Sequence, residues 1–346
     1  VFARTLPRLK RAFGLSRARR GSGLILAVAG LVLSFAAPVV LGGFGVFARI
    51  TTLPLWVLLG APALMVLGWV VNAGRVTVLT RANNYRLGFG RACLVSAGGD
   101  FGAALGPGGL TGIAAYIFLL GRVGVRSAVS TALFALERLL DQLIFAAALA
   151  ASAVGLALVN QGTHPWQLFV ISFGLCAGIV VVILAAIVEY RRLLRLAVWA
   201  LARLRFGLVR RRQFIAWSLR FRHSLTEVAR MPRPSIALLI GCAAAYWAAR
   251  FAILPLVAAG MHAPVPWAYL LAVQVLALFA GQLSLLPGGT ITVEAVFAAL
   301  LLPWLNRHDL ALMLLAWRGS VFYFTLVAGG AAFTIAATRT RVRIRS

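Results

Sequence analysis

The stretch Gly98-Gly99-Asp100-Phe101-Gly102-Ala103-Ala104-Leu105-Gly106-Pro107-Gly108-Gly109 interrupts an apolar chain, and 180 residues after the first Pro-Gly-Gly, Leu286-Pro287-Gly288-Gly289 interrupts it again. Neither proline nor paired glycine suits a helix interior. Proline removes a backbone donor and clashes with the preceding turn, and glycine costs about 1 kcal/mol relative to alanine. On either side of the first break, residues 92–106 and 110–121 would form helices of about 22 and 18 Å at 1.5 Å per residue. Both fall short of the ~30 Å of hydrocarbon that a crossing helix must cover. The pattern predicts a helical hairpin that enters the bilayer and returns, its tip shielded by protein or lining a wet cavity, because lipid satisfies no backbone group. At the second break, 267–286 could just span, so length leaves both geometries open there. Either one preserves the side on which the chain continues.

The rest of the chain agrees with a membrane setting. Of 346 residues, 62% are apolar and 12% charged, against about half and a quarter in soluble domains. A soluble enzyme is excluded first. Apolar runs predict full spans at about 24–47, 53–79, 127–158, 166–188, 235–258 and 309–337, which with the two hairpins gives an all-α polytopic membrane protein. Residues 1–20 are too basic, and the run after them too long, for a cleavable signal peptide, so that run is read as the first span. The domain reading is a basic arm at 1–21, one transmembrane domain at 22–338 and a basic tail at 339–346. Within it lie repeat units at about 53–158 and 235–338 and a basic segment at 191–233.

Charge sets the orientation. There are 34 Lys+Arg against 7 Asp+Glu. With the N-terminus in the cytoplasm, 28 basic residues fall on that side and only Arg49 and Arg307 outside, as the positive-inside rule requires. Both termini are therefore expected in the cytoplasm, and no nucleic acid is needed to account for the positive charge. Segment 191–233 mixes twelve arginines with Leu, Phe and Trp, which suits helices on an anionic lipid surface or a solvated loop held by charge. Cys93, Cys176 and Cys242 stand singly in apolar stretches and give no disulfide framework. No zinc spacing, catalytic triad or Walker loop occurs, so no cofactor, metal or ATP hydrolysis is expected.

The two breaks share a register. The offset that superposes Pro107-Gly108-Gly109 on Pro287-Gly288-Gly289 also places Arg138 on Arg318, each in the long helix after its hairpin. The two units would enter from opposite faces, an inverted repeat. Interrupted segments at matching positions of two halves point to a transport site near the midplane.

Four of the seven acids, Asp100, Glu137, Asp141 and Glu294, fall in apolar segments. Charges in hydrocarbon cost roughly 2.5–3.5 kcal/mol each even on lenient scales, so they face a cavity or a partner. Glu137 and Asp141 share a helix face and Arg138 reaches Asp141 at i,i+3. Either this set is an ion pair that locks the helix, or Arg138 holds a lipid phosphate while the acids orient it or bind a cationic head group, arginine being suited to planar bidentate recognition. Arg318 has no acid within a turn and needs a partner from elsewhere: either it pairs with Glu294, the nearest candidate, or the two serve a ligand, Arg318 reading a polar head group with Arg138 and Glu294 tuning it. Asp100 caps broken backbone or joins the cavity. The glycines of both breaks turn the chain or offer N–H groups to an anion. Arg75 and Arg250 are read as snorkelling or paired.

The succession Pro107-Gly108-Gly109, Leu120-Gly121-Arg122-Val123-Gly124-Val125 and Glu137-Arg138-Leu139-Leu140-Asp141 resembles the first half of the lysylphosphatidylglycerol synthase/flippase transmembrane family. Leu286-Pro287-Gly288-Gly289 followed by Val293-Glu294-Ala295 is similar to its second signature, and Arg318 matches the arginine usual in its last helix. The resemblance spans about residues 20–338. It implies two re-entrant hairpins in an inverted repeat, a bacterial inner membrane and a role in moving polar lipids between leaflets. Two-domain members add a soluble aminoacyl-transfer domain, which these residues lack, so the chain alone is not expected to synthesise lysyl-lipid. Thr290-Ile291-Thr292 departs from the family's glycine-bearing spacer. Standalone members are similar to proteins of glycolipid, isoprenoid-linked and hopanoid pathways. The expected partners are therefore membrane lipids: anionic phospholipid, glycolipid or polyprenyl-linked lipid. The alternative to translocation is a noncatalytic lipid-binding scaffold that recruits a cytoplasmic lipid-modifying enzyme, and a homo-oligomer is compatible with both.

Overall fold

A computed structural model describes residues 38–106, 110–159, 207–284 and 286–338, with scattered positions at 34–36 and 170–203. Among the described residues the chain is helical, without β-strands. A short helix α1 (Val46–Arg49) leads into α2 (Leu55–Ala82). The first break separates α3 (Phe89–Ala104) from α4 (Leu110–Arg122), and α5 (Ser127–Val159) follows. After the basic helix α6 (Leu208–Ala229) come α7 (Arg233–Phe251) and α8 (Ile253–Gly260). The second break separates α9 (Trp267–Leu283) from α10 (Thr292–Leu301). Finally α11 (Arg307–Arg318) passes through two π-helical turns, Gly319–Tyr323 and Thr325–Gly329, into α12 (Gly330–Thr338).

Three stretches are apolar and long enough to cross a bilayer: Leu55–Ala82, Arg233–Gly260 and Arg307–Thr338, of 28, 28 and 32 residues. The protein is a multi-pass membrane protein. The expected spans at about 24–47 and 166–188, and the terminal arm and tail, lie largely outside the described residues. Pro54, Pro232 and Pro266 stand immediately before α2, α7 and α9, where no intrahelical donor is needed. Pro255, three positions into α8, separates it from α7, because its ring excludes the carbonyl of the preceding turn.

Small residues set how closely the helices pack, as expected where lipid supplies no hydrophobic force between them. Gly60, Gly68 and Gly74 of α2 face Leu256, Tyr246 and Cys242, so α2 runs antiparallel to α7–α8. Gly102 and Gly112 bring the arms of the first hairpin together against Ala115 and Ala103. The helices beside each break pack on helices distant in sequence. Arm α3 packs on α12, with Gly98 against Phe333 and Gly330 against Phe101. Arm α9 packs on α5, with Gly155 against Ala268. The basic helix α6 packs one side against α5, burying Ser218, Ser224, Leu225 and Val228.

Candidate functional site

A cavity of about 350 Å³ is lined by residues of both helical pairs that flank the breaks. Asp100, Gly106 and Tyr116 of the first hairpin line it, as do Gly281, Gly288 and Gly289 of the second. Its remaining walls come from Asn72 of α2, Glu137 and Arg138 of α5, Arg250 of α7, and Trp317, Arg318 and Phe322 at the end of α11 and its π turn.

Beneath this chamber α2 carries Arg75, only 1% exposed. Its Nη1 donates to Asp141 Oδ1 at 2.8 Å and its Nη2 to Glu137 Oε2 at 3.3 Å. The other Glu137 oxygen accepts from the Tyr116 hydroxyl at 2.8 Å, which ties the first hairpin to α5. Asp141 Oδ1 also accepts from Trp247 Nε1 at 2.8 Å, and its Oδ2 faces Arg138 Nη2 at 2.9 Å. Both carboxylates are thereby engaged by protein donors. Arg138 differs from its partners: its side chain is 39% exposed, and the guanidinium lies over the Phe134 ring, 5.0 Å from the centroid.

Asp100 holds a second centre. Its Oδ2 accepts from Arg250 Nη1 at 2.6 Å and from Trp69 Nε1 at 2.9 Å. The Tyr246 hydroxyl approaches both oxygens at 3.3 Å and also meets Arg250. The first hairpin is thus clamped to α2 and α7 through one carboxylate.

At the opposite wall, Arg318 Nη1 donates to the Gly288 carbonyl at 2.8 Å and Nη2 pairs with Glu294 Oε1 at 2.6 Å. The corner it holds needs glycine. Gly288 and Gly289 have φ of +63° and +67°. A Cβ at Gly288 would enter the Phe322 ring, and one at Gly289 would meet the Gly281 backbone. Ile291, in the stretch that departs from the family spacer, also has positive φ, +73°. For a β-branched residue this is an outlier that only surrounding structure sustains.

Four arginines (Arg75, Arg138, Arg250 and Arg318) thus meet four carboxylates (Asp100, Glu137, Asp141 and Glu294). A formally neutral cluster is the form in which buried charge persists, since an unpaired ion would cost several kcal/mol. Of the residues singled out from the sequence, Asp100, Glu137, Arg138, Arg318, Gly288 and Gly289 line the cavity. Asp141, Glu294 and Pro287 are buried outside its lining, and Pro107, Gly108 and Gly109 lie outside the described residues. Arg75, Arg250, Tyr116 and Trp247 belong to the site as much as these. The available signal was a polar-tipped side chain deep in an apolar span, which matters only once its partner is known. No group of three or more His, Cys, Asp or Glu able to hold a metal occurs among the described residues.

No curated protein sequence matched the chain in comparison. The family described as "Lysylphosphatidylglycerol synthase TM region" matches residues 24–329, a range that includes both hairpins and every charged residue of the cluster. The chain therefore belongs to the family of the lysylphosphatidylglycerol synthase transmembrane region.

Proposed function

We propose that this protein moves a polar, phosphate-bearing lipid between the leaflets of a bacterial inner membrane, its termini in the cytoplasm, without ATP hydrolysis and without chemistry on the lipid. Membership of the family ties the chain to membrane-lipid function. The observation that carries the finer reading is the cavity between the hairpins with the half-exposed Arg138 guanidinium on its wall. Three features support an inverted repeat of two re-entrant hairpins within six spans. These are the antiparallel α2 and α7, the reciprocal exchange by which each hairpin packs on the other half's last helix, and the shared Arg138/Arg318 register. Such a repeat offers two related packings around one central site, the arrangement that alternating access uses. Arg138 would take the phosphate as the head group passes, and the lipid tails would stay in the bilayer. Driving force would come from the lipid gradient or a coupled ion.

Proteoliposomes with fluorescent phosphatidylglycerol, a glycolipid or a polyprenyl phosphate test this. Exchange above empty vesicles is expected for at least one phosphate-bearing lipid, with the rate lowered by Arg138→Gln in a protein that remains folded. No exchange of any of the three would refute translocation.

A second reading, a scaffold that recruits a cytoplasmic enzyme, draws on α6. That helix holds Phe214, Trp217 and Phe221 in a stacked ladder beside exposed Arg212, Arg220 and Arg222. A scaffold would lose its partner when these arginines are neutralised, whereas a translocator would keep exchanging lipid.

A further inference from the structure

The charges around the cavity balance, but its hydrogen bonds do not. Its two lining carboxylates are supplied by protein: Asp100 by Trp69, Tyr246 and Arg250, and Glu137 by Arg75 and Tyr116. Among the described residues, the buried side-chain atoms of the cavity-lining residues that lack a partner are nearly all donors. They include the Nε of Arg138 and Arg318 and the indole Nε1 of Trp317, against a single acceptor, Asn72 Oδ1. A buried N–H without an acceptor costs free energy, and a chamber with several is completed by a ligand rich in acceptor oxygens. Arginine Nε atoms often forgo one bond because four other N–H groups share the charge. An indole has only one donor and no such alternative.

We infer that Trp317 reads the head group on the second half's wall, its Nε1–H donating to a non-bridging oxygen of a lipid phosphodiester whose other oxygens face Arg138. The inference rests on the translocation reading and divides the roles of two adjacent residues. Arg318 is a positioning residue, its guanidinium already committed to the Gly288 carbonyl and Glu294. Trp317, 1% exposed and wedged against Phe297 at 4.9 Å between ring centroids, holds its donor in a fixed place. The internal repeat places Trp317 at the position of Glu137. The two halves therefore present an occupied acid and an unoccupied donor at equivalent points. A site with that asymmetry binds an anion, not an ammonium.

Trp317→Phe removes the N–H and keeps the aromatic wedge. In proteoliposomes it should slow phosphatidylglycerol exchange about tenfold or more, the effect of losing one hydrogen bond to a charged group. In detergent, phosphatidylglycerol should raise the melting temperature of the wild type and fail to raise that of the variant. A neutral diacyl glycolipid should affect the two proteins alike. Unchanged exchange and an unchanged phosphatidylglycerol shift in the variant would overturn the inference, as would equal loss for the neutral glycolipid. An equal shift from inorganic phosphate alone would assign the site to a free anion and also overturn it. Should Trp317→Phe not fold, a phosphatidylglycerol with a photoreactive head group on the wild type decides. Crosslinks at residues 313–322 support the assignment, and their absence there overturns it. A wild type that exchanges no lipid refutes translocation itself, a result distinct from these.

Discussion

Replacing Arg75 by methionine is the sharpest test of the buried network. Methionine fills much of the arginine stem and removes the charge. Two hydrogen-bonded ion pairs go at once, at 2.8 Å to Asp141 and 3.3 Å to Glu137. Asp141 keeps Arg138 and Trp247, whereas Glu137 keeps only the Tyr116 hydroxyl. The remaining cluster on α5 carries one uncompensated negative charge. Removing one partner of a buried pair costs about 3–5 kcal/mol. Arg138→Gln removes a charge from the same cluster, but that side chain is 39% exposed, and pairs open to solvent contribute about 0–1 kcal/mol. Unfolding in mixed micelles, followed by denaturant titration, should therefore separate the two variants by about 2–5 kcal/mol. The charge count also specifies a rescue. Glu137→Gln in the Arg75→Met background restores neutrality, leaves an oxygen for Tyr116, and should recover more than half of the loss. Equal stability of Arg75→Met and Arg138→Gln, or no recovery in the double variant, would refute the view that charge balance holds these helices together.

Three further outcomes follow from local geometry. Gly288→Ala puts a Cβ into the Phe322 ring at a φ of +63°, and should destabilise by about 1–3 kcal/mol. Gly121→Ala, in helix with no heavy atom within 4 Å of the added Cβ, should be neutral or stabilise by about 0.5–1 kcal/mol; thermal denaturation of both checks the contrast. Asn306 caps α11, its side chain accepting from the Asp309 amide at 2.9 Å. Asn306→Ala should cost about 1 kcal/mol in the same unfolding assay, and leave lipid exchange in proteoliposomes unchanged, since the cap lies outside the cavity lining.

Legibility varied with the kind of residue. Arg318 announced itself because no acid lay within a turn of it, and Glu294 was the nearest candidate along the chain; the structure pairs the two at 2.6 Å. Arg75 and Arg250 were legible as paired or snorkelling but not as parts of one site. Their partners lie 62 to 150 residues away on other helices. Nothing in the sequence singled out Trp69, Trp247 or Tyr116, because an indole or phenol in a span shows its polar tip only when an acceptor is brought to it. Segment 191–233 read as surface-lying helix or loop. Arg212, Arg220 and Arg222 of α6 are exposed, while the side that meets α5 buries Ser218, Ser224, Leu225 and Val228, small and apolar residues that composition averages away.

From the sequence alone came the membrane environment, the helical class, the two glycine breaks and their register, because each depends on run length or spacing along one chain. Family likeness was legible for the same reason, since its motifs are local and ordered. Only the tertiary structure decided which charges neutralise one another, which distant helices α3 and α9 pack on, and that residues beside both breaks line one chamber. Those outcomes depend on how closely glycines let distant helices approach, and on which buried donor finds which acceptor. Both are properties of packing in three dimensions that no one-dimensional pattern encodes.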